Sequence, residues 1–188
     1  PNLFGGILAD RSNKQHILDL VSINALEIDM VVINLYPFES EAVNKNLDLE
    51  KAIEFIDIGG PSMLRAAAKN FKNVIPLCNS DQYLDFINCY NKNDGIFSID
   101  KRIKYAKEVF ALTMKYDYLI NNYFLKSLNH ENRELLSDDL FLSMSKKQDL
   151  RYGENPHQQS AFYIPRNTDS FWEKIQGKEL SYNNYFDM

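Results

Sequence analysis

Apolar residues recur along this chain in two patterns. Asp29-Met30-Val31-Val32-Ile33-Asn34 is a short β-branched run that stops at Tyr36-Pro37, as expected of a parallel strand buried on both faces. Val74-Ile75-Pro76-Leu77-Cys78 is a second such run, and Pro76, which lacks an N–H, predicts an edge or a bend there. Around these runs the apolar positions repeat at helical spacing, over residues 12–26, 49–56 and 61–71. Strands alternating with helices predict an α/β domain with a parallel sheet. Ser80 is the expected N-cap of a helix reaching about Tyr90, and Asp100 that of a longer helix reaching about Leu125. In the longer one Ile103, Ala106, Phe110 and Met114 predict the stripe that faces the core.

Residues 129–139 are polar and charged and read as a linker, which puts a domain boundary near 128–140. Beyond it, residues 140–144 and 160–164 read as short strands around a polar loop, 151–159, and Leu180-Ser181-Tyr182 is strand-like. Composition narrows the class. Hydrophobic residues make up 45% and charged residues 25%, enough for a packed core in a soluble globular chain. The net charge is −5 with Lys and Arg scattered, so no nucleic-acid footprint is expected. No apolar run approaches the roughly 20 residues that cross a bilayer and no leader-like segment opens the chain, so no membrane association and a cytoplasmic location are expected. Cys78 and Cys89 have no neighbouring His or Cys at a metal-ligand spacing, and both are expected to be reduced.

Four segments are candidates for chemistry. Asn34-Leu35-Tyr36-Pro37-Phe38 follows the first strand, where parallel sheets bind ligands beyond their carboxyl ends; Tyr36 either faces a substrate or is buried with its hydroxyl satisfied. In Asp57-Ile58-Gly59-Gly60-Pro61-Ser62 two glycines allow close backbone approach, and Pro61 suits the first helical position with free N–H groups aimed at an anion. Asp57 beside them is either a general base or a helix cap. Arg65 and Lys69 lie four apart in Arg65-Ala66-Ala67-Ala68-Lys69-Asn70, so they either project together or form a solvated basic face. Leu150-Arg151-Tyr152-Gly153-Glu154-Asn155-Pro156-His157-Gln158 is dense in groups that hold phosphates and amides.

Taken in order with Gly5-Gly6-Ile7-Leu8-Ala9 and Gly177-Lys178-Glu179-Leu180-Ser181-Tyr182-Asn183-Asn184, these segments resemble the bifunctional AICAR transformylase and IMP cyclohydrolase family across nearly the whole chain. The resemblance implies the last two steps of de novo purine biosynthesis: formyl transfer from 10-formyltetrahydrofolate to AICAR, and closure of formyl-AICAR to IMP with loss of water. It implies a methylglyoxal-synthase-like parallel-sheet domain over residues 1–128, a linker over 129–139, and a cytidine-deaminase-like transformylase domain beginning at 140–188. Tyr36, Asp57 and Lys69 match the family's cyclohydrolase positions, with Asn34, Ile58, Gly59 and Gly60 as substrate contacts. Arg151, Tyr152 and Asn184 match AICAR contacts, whereas His157 either touches substrate or orients its loop. No metal is required for cyclisation, the partners are small ribotides, and the intact protein is a homodimer.

The family's Lys-Thr-Leu-His run is expected to precede Pro1 and its transformylase Lys-His pair to follow Met188. On that expectation the chain is an internal fragment with two incomplete sites, inactive by itself. The alternative is a methylglyoxal-synthase-like regulatory module that binds a phosphorylated small molecule without turnover. Such a module needs neither the trio of Tyr36, Asp57 and Lys69 nor the motif after residue 140.

Overall fold

The computed structural model describes residues 2–128, 142–165 and 174–186. They fall in two compact units, Pro1–Arg133 and Glu134–Met188. The expected linker, 129–139, lies outside the described residues.

The first unit runs α1 (Asn2–Leu8), α2 (Lys14–Ser22), β1 (Met30–Val32), a π-helical turn (Glu39–Val43), α3 (Leu49–Ala52), a 3-10 turn (Ile53–Phe55), α4 (Gly59–Lys69), β2 (Ile75–Leu77), α5 (Gln82–Lys92) and α6 (Ile99–Leu128). β1 and β2 pair in parallel, with Met30 opposite Ile75 and Val32 opposite Leu77. This is an α/β unit with a parallel sheet, as the alternation of patterns predicts. Successive strand residues point to opposite faces. Val31 packs with Leu64, Ala67 and Ala68 of α4, Ile7 of α1 and Val109 of α6. The three consecutive alanines bring α4 close to this face. Ile75 and Leu77 pack on Phe97 and Tyr105, with Phe86 of α5 against them.

Several local expectations shift, each for a physical reason. The Gly5-Gly6 segment is helical despite the low propensity of glycine. Gly6 lies so close to the chain ahead of β1 that a Cβ there would come within 2.2 Å of the Leu26 carbonyl oxygen, and its own carbonyl accepts from Ile28 N. The helix expected over residues 12–26 contracts to α2, capped by the Asn13 side chain, which accepts from Gln15 N at 2.9 Å. α4 starts two residues ahead of Pro61, so both glycines belong to its first turn.

The caps of the next two helices also move. Asp81 precedes α5, and Ser98, not Asp100, caps α6 by accepting from Lys101 N. In α6 the buried residues are Tyr105, Ala106, Val109, Thr113 and Tyr116. Ile103, Phe110 and Met114, expected in the core, are 46%, 43% and 70% exposed. Helical spacing sets the period of a stripe but not its phase, and here the neighbours of α6 select the adjacent one.

In the second unit β3 (Met144–Leu150) pairs antiparallel with β4 (Ser160–Pro165), Met144 opposite Pro165 and Leu150 opposite Ser160. The first of these strands lies C-terminal to the expected 140–144, because its Ser145-Lys146-Lys147-Gln148-Asp149 core carries no apolar alternation. Leu180-Ser181-Tyr182 is not a strand. It leads into α7 (Tyr182–Phe186), whose Tyr185 stacks on Phe162 of β4 at 4.5 Å between ring centroids.

Candidate active site

The strand ends of the first unit open on a cleft. Beyond the carboxyl ends of β1 and β2 lies a cavity of about 250 Å³ whose walls include Asn34, Tyr36, Glu39, Asn79, Lys115 and Tyr116. After β1, Asn34 and Tyr36 are exposed on either side of Leu35, which packs on the core, and the turn at Pro37 breaks that alternation. Phe38 is buried and packs edge-on against Tyr116 and Tyr123, with ring centroids 6.3 and 5.6 Å away, while Tyr36 two residues earlier stands 59% exposed. Tyr36 is therefore not buried, which removes the second of its two readings. Asn34 Nδ2 donates to the Tyr83 hydroxyl at 3.2 Å, and Lys115 Nζ pairs with Glu39 Oε2 at 2.7 Å.

A neighbouring cavity of about 440 Å³ shares Cys78, Asn79 and Leu112 with the first, and its other polar walls include Asp81, Asp85, Glu108 and Lys104. The excess of carboxylates disfavours a phosphate-bearing ligand there. Burial, aided by Glu108, raises the Cys78 thiol to about 11, so this cysteine is no nucleophile at neutral pH.

Asp57 is held from three directions. Its Oδ1 accepts from Gly60 N at 2.8 Å and its Oδ2 from Tyr36 N at 3.3 Å. Its own N–H donates to the Tyr116 hydroxyl at 2.8 Å, and that hydroxyl donates to the Phe55 carbonyl at 3.1 Å. The carboxylate thus caps the first turn of α4 and at the same time joins it to the β1 exit. Gly60 is required: a Cβ there would lie 2.5 Å from Asp57 Oδ2. Gly59 is exposed, and Ile58 is 72% exposed beside it.

Arg65 and Lys69 are both exposed on α4, but their surroundings differ. The Arg65 guanidinium lies over the Phe110 ring of α6 at 5.5 Å. Lys69 is in the last turn, about 15 Å along the axis from Gly59 at 1.5 Å per residue, where a cation complements the helix dipole. The structure brings Tyr36 and Asp57 together and sets Lys69 at the opposite end of α4. Asn70 just beyond it donates from Nδ2 to the carbonyls of Ile7 and Ala9 at 2.8 and 2.9 Å.

In the second unit the loop after β3 is folded around Gln158. Gly153 N donates to the Gln158 carbonyl and Asn155 N to its Oε1, both at 2.9 Å. The Arg151 guanidinium lies over the Tyr152 ring at 5.3 Å and is exposed, as is His157. The loop is stitched to the segment before α7 by Arg151 N to the Leu180 carbonyl and Tyr182 N to the Tyr152 carbonyl. Asn184 Oδ1 accepts from both Ser181 N and Ser181 Oγ at 2.9 Å. Its amide nitrogen is the end of that side chain left to face a ligand.

The six sequence motifs therefore meet in pairs: the first with the fourth through Asn70, the second with the third through Asp57, and the fifth with the sixth through main-chain bonds. Sequence reasoning passed over Tyr116, Lys115 and Tyr83, and counted Gln158 among the ligand-holding groups where its amide oxygen braces the loop. Only Gln158 lay inside a recognised motif; the others sit on α5 and α6, where nothing local marks them. Among the described residues no group of three or more His, Cys, Asp or Glu is placed to hold a metal, and no helix is long and apolar enough to cross a membrane.

The profile of the AICARFT/IMPCHase bienzyme family matches residues 67–188. Over 187 residues the chain is 45% identical to the bifunctional purine biosynthesis protein PurH of Leptospira biflexa, covering 100% of this chain and 36% of that protein. The protein of the same name from Rippkaea orientalis is 46% identical over 191 residues, covering 100% of this chain and 37% of its own length. The chain thus spans little more than a third of the curated relatives it matches. The crystal structure of ForH superposes with a TM-score of 0.58 at 30% identity, over 67% of this chain and 64% of ForH.

Proposed function

Because the chain belongs to the AICARFT/IMPCHase bienzyme family, we propose that its protein performs the last two steps of purine biosynthesis, formyl transfer to AICAR and closure of formyl-AICAR to IMP. The first unit carries groups for closure and the second carries AICAR contacts. On this reading residues 1–128 belong to a methylglyoxal-synthase-like domain and 140–188 to a cytidine-deaminase-like one. The formyl donor is 10-formyltetrahydrofolate, the intact protein is a cytoplasmic homodimer, and the other ligands are ribotides.

The observation that supports closure most directly is the Asp57 carboxylate fixed between Tyr36 N and Gly60 N beside the cleft at the strand ends. In the reaction the carboxamide nitrogen bonds to the formyl carbon and gives one proton to Asp57. The formyl oxygen takes up that proton from Asp57 and a second one released by the formamide nitrogen, and departs as water as the carbon–nitrogen double bond of the ring forms. Each carboxylate oxygen of Asp57 has a lone pair beyond the one its backbone donor uses, so capping α4 does not preclude acting as base. Tyr36, together with the backbone N–H of Gly59, positions the formyl oxygen and stabilises its developing charge, while the Gly60 N–H stays committed to Asp57 Oδ1 and serves by fixing the base. Asn34 and Ile58 line the approach. Holding both reacting groups of one molecule in contact supplies much of the rate.

Lys69 is assigned to the same chemistry on its motif, and its place in the last turn of α4 makes it the assignment that geometry supports least. In the second unit Arg151, stacked on Tyr152, offers a guanidinium fork to an anionic or amide group of AICAR, and the Asn184 amide nitrogen adds a donor.

The test is IMP formation from formyl-AICAR by the full-length protein. Asp57→Asn and Lys69→Ala are each expected to lower the rate by roughly 10² or more, the scale for acid–base and charge-stabilising groups, with formyl transfer unchanged. Losses below about tenfold for both would remove the assignment.

A further inference from the structure

We propose that Tyr116 is a positioning residue for ring closure, its buried hydroxyl holding the backbone on both sides of Ile56 so that the Asp57 carboxylate keeps its aim. The inference rests on Asp57 acting as the base. Tyr116 is 6% exposed and 59 residues from Asp57 in sequence, yet its single hydroxyl completes two hydrogen bonds to that segment. It accepts from Asp57 N at 2.8 Å and donates to the Phe55 carbonyl at 3.1 Å. Burial raises this hydroxyl above the ordinary tyrosine range, so it keeps the proton it donates to Phe55.

The ring extends the arrangement to the other motif. It packs edge-on against Phe38, two residues beyond Tyr36, whose N–H is the second backbone donor to Asp57. One side chain on α6 therefore touches both segments that Asp57 joins. The 3-10 turn Ile53–Phe55 ends with Ile56 N bonded back to the Ile53 carbonyl and α4 begins with the Ile58 carbonyl accepting from Ser62 N, so the Asp57 N–H lies between the two helical patterns and depends on the Tyr116 hydroxyl. Without the hydroxyl, the Asp57 N–H and the Phe55 carbonyl both lose their partner, and the segment is free to turn. Tyr116 acts through Asp57 and moves no proton of the reaction itself.

The test is a double-mutant cycle in the full-length protein, reading kcat and KM for formyl-AICAR closure, with formyl transfer and the thermal midpoint as controls. Tyr116→Phe keeps the ring and removes the hydroxyl. It is expected to lower kcat by about tenfold with KM changed less than about threefold, a loss confined to the transition state. In the Asp57→Asn background the same change is expected to cost less than about twofold, because a residue that works through Asp57 has nothing left to position.

Should Tyr116→Phe fail to fold, 3-fluorotyrosine at position 116 weakens the acceptor without changing the packing and is expected to lower kcat in the same background-dependent way. Equal losses in both backgrounds, or no loss in either substituted protein, overturn the role of Tyr116 while leaving Asp57 as base. A loss under about tenfold for the Asp57→Asn single variant removes Asp57 as the base and this role with it.

Discussion

The loop at Asp57 and the loop at Arg151–Gln158 use similar ingredients, a glycine, a carboxylate or amide, and a nearby tyrosine, but they are held in opposite ways. Asp57 takes two of its three partners from residues 21 and 59 positions away, so its geometry depends on the packing of β1, α4 and α6. Gly153 and Asn155 are bonded by Gln158 of their own loop. The first loop is only as well placed as the core beneath it. The second carries most of its shape with it and needs the rest of its unit mainly for the two main-chain bonds at Leu180 and Tyr182. A change remote in sequence should therefore disturb the first, whereas the second should respond to changes within itself.

The sharpest way to break this contrast is at the two glycines. Gly60→Ala would put a Cβ 2.5 Å from Asp57 Oδ2, and the displaced atom belongs to a carboxylate already committed to two backbone donors. Closure to IMP is expected to fall on the order of 10²-fold, since displacement of a reacting group by about 1 Å costs that much. Formyl transfer should be unchanged, and a loss below threefold would show that the aim of Asp57 tolerates displacement. Gln158→Ala removes the loop's own brace. With a net hydrogen bond worth about 1 kcal/mol, KM for AICAR in formyl transfer is expected to rise by roughly fivefold to tenfold while IMP closure stays level.

Gly153→Ala brings a Cβ 2.9 Å from Gln158 Cβ, an atom fixed by its own backbone, so the exposed loop itself must shift while the cleft of the first unit is untouched. A few-fold rise in the same KM is expected, smaller than the effect at Gly60; an equal effect would mean that the two loops are equally rigid. The smallest effect is expected at the cleft wall. Lys115→Met breaks the pair with Glu39, and because both side chains are more than a third exposed or nearly so, at 38% and 33%, calorimetry should show a change of under about 1 kcal/mol.

The same contrast shows what was legible in the sequence. The parallel α/β character of the first unit was legible because β-branched runs and helical spacing are local signals, and β1, β2 and α4 lie within a residue or two of their expected places. Candidate site residues were legible as motifs, because glycine frees the backbone and proline restricts it wherever they stand. The buried stripe of α6 was not, since Val109 and Phe110 satisfy the same periodicity and only the neighbours of the helix choose between them. β3 was displaced in the reading because a polar strand stabilised by its partner carries no alternation of its own.

By itself the sequence determined the kinds of element, the residues able to do chemistry and the family to which they belong. Tertiary structure alone decided that the motifs meet in pairs, that Tyr36 stands outside the core while Phe38 enters it, that Lys69 is at the far end of α4 from Asp57, and that the Tyr116 hydroxyl bonds Asp57 N and the Phe55 carbonyl. The physical reason is range. Propensity, capping and turn chemistry act over a few residues, whereas a hydrogen bond from Asp57 to a hydroxyl 59 residues away exists only after hydrophobic burial has laid α6 beside α4.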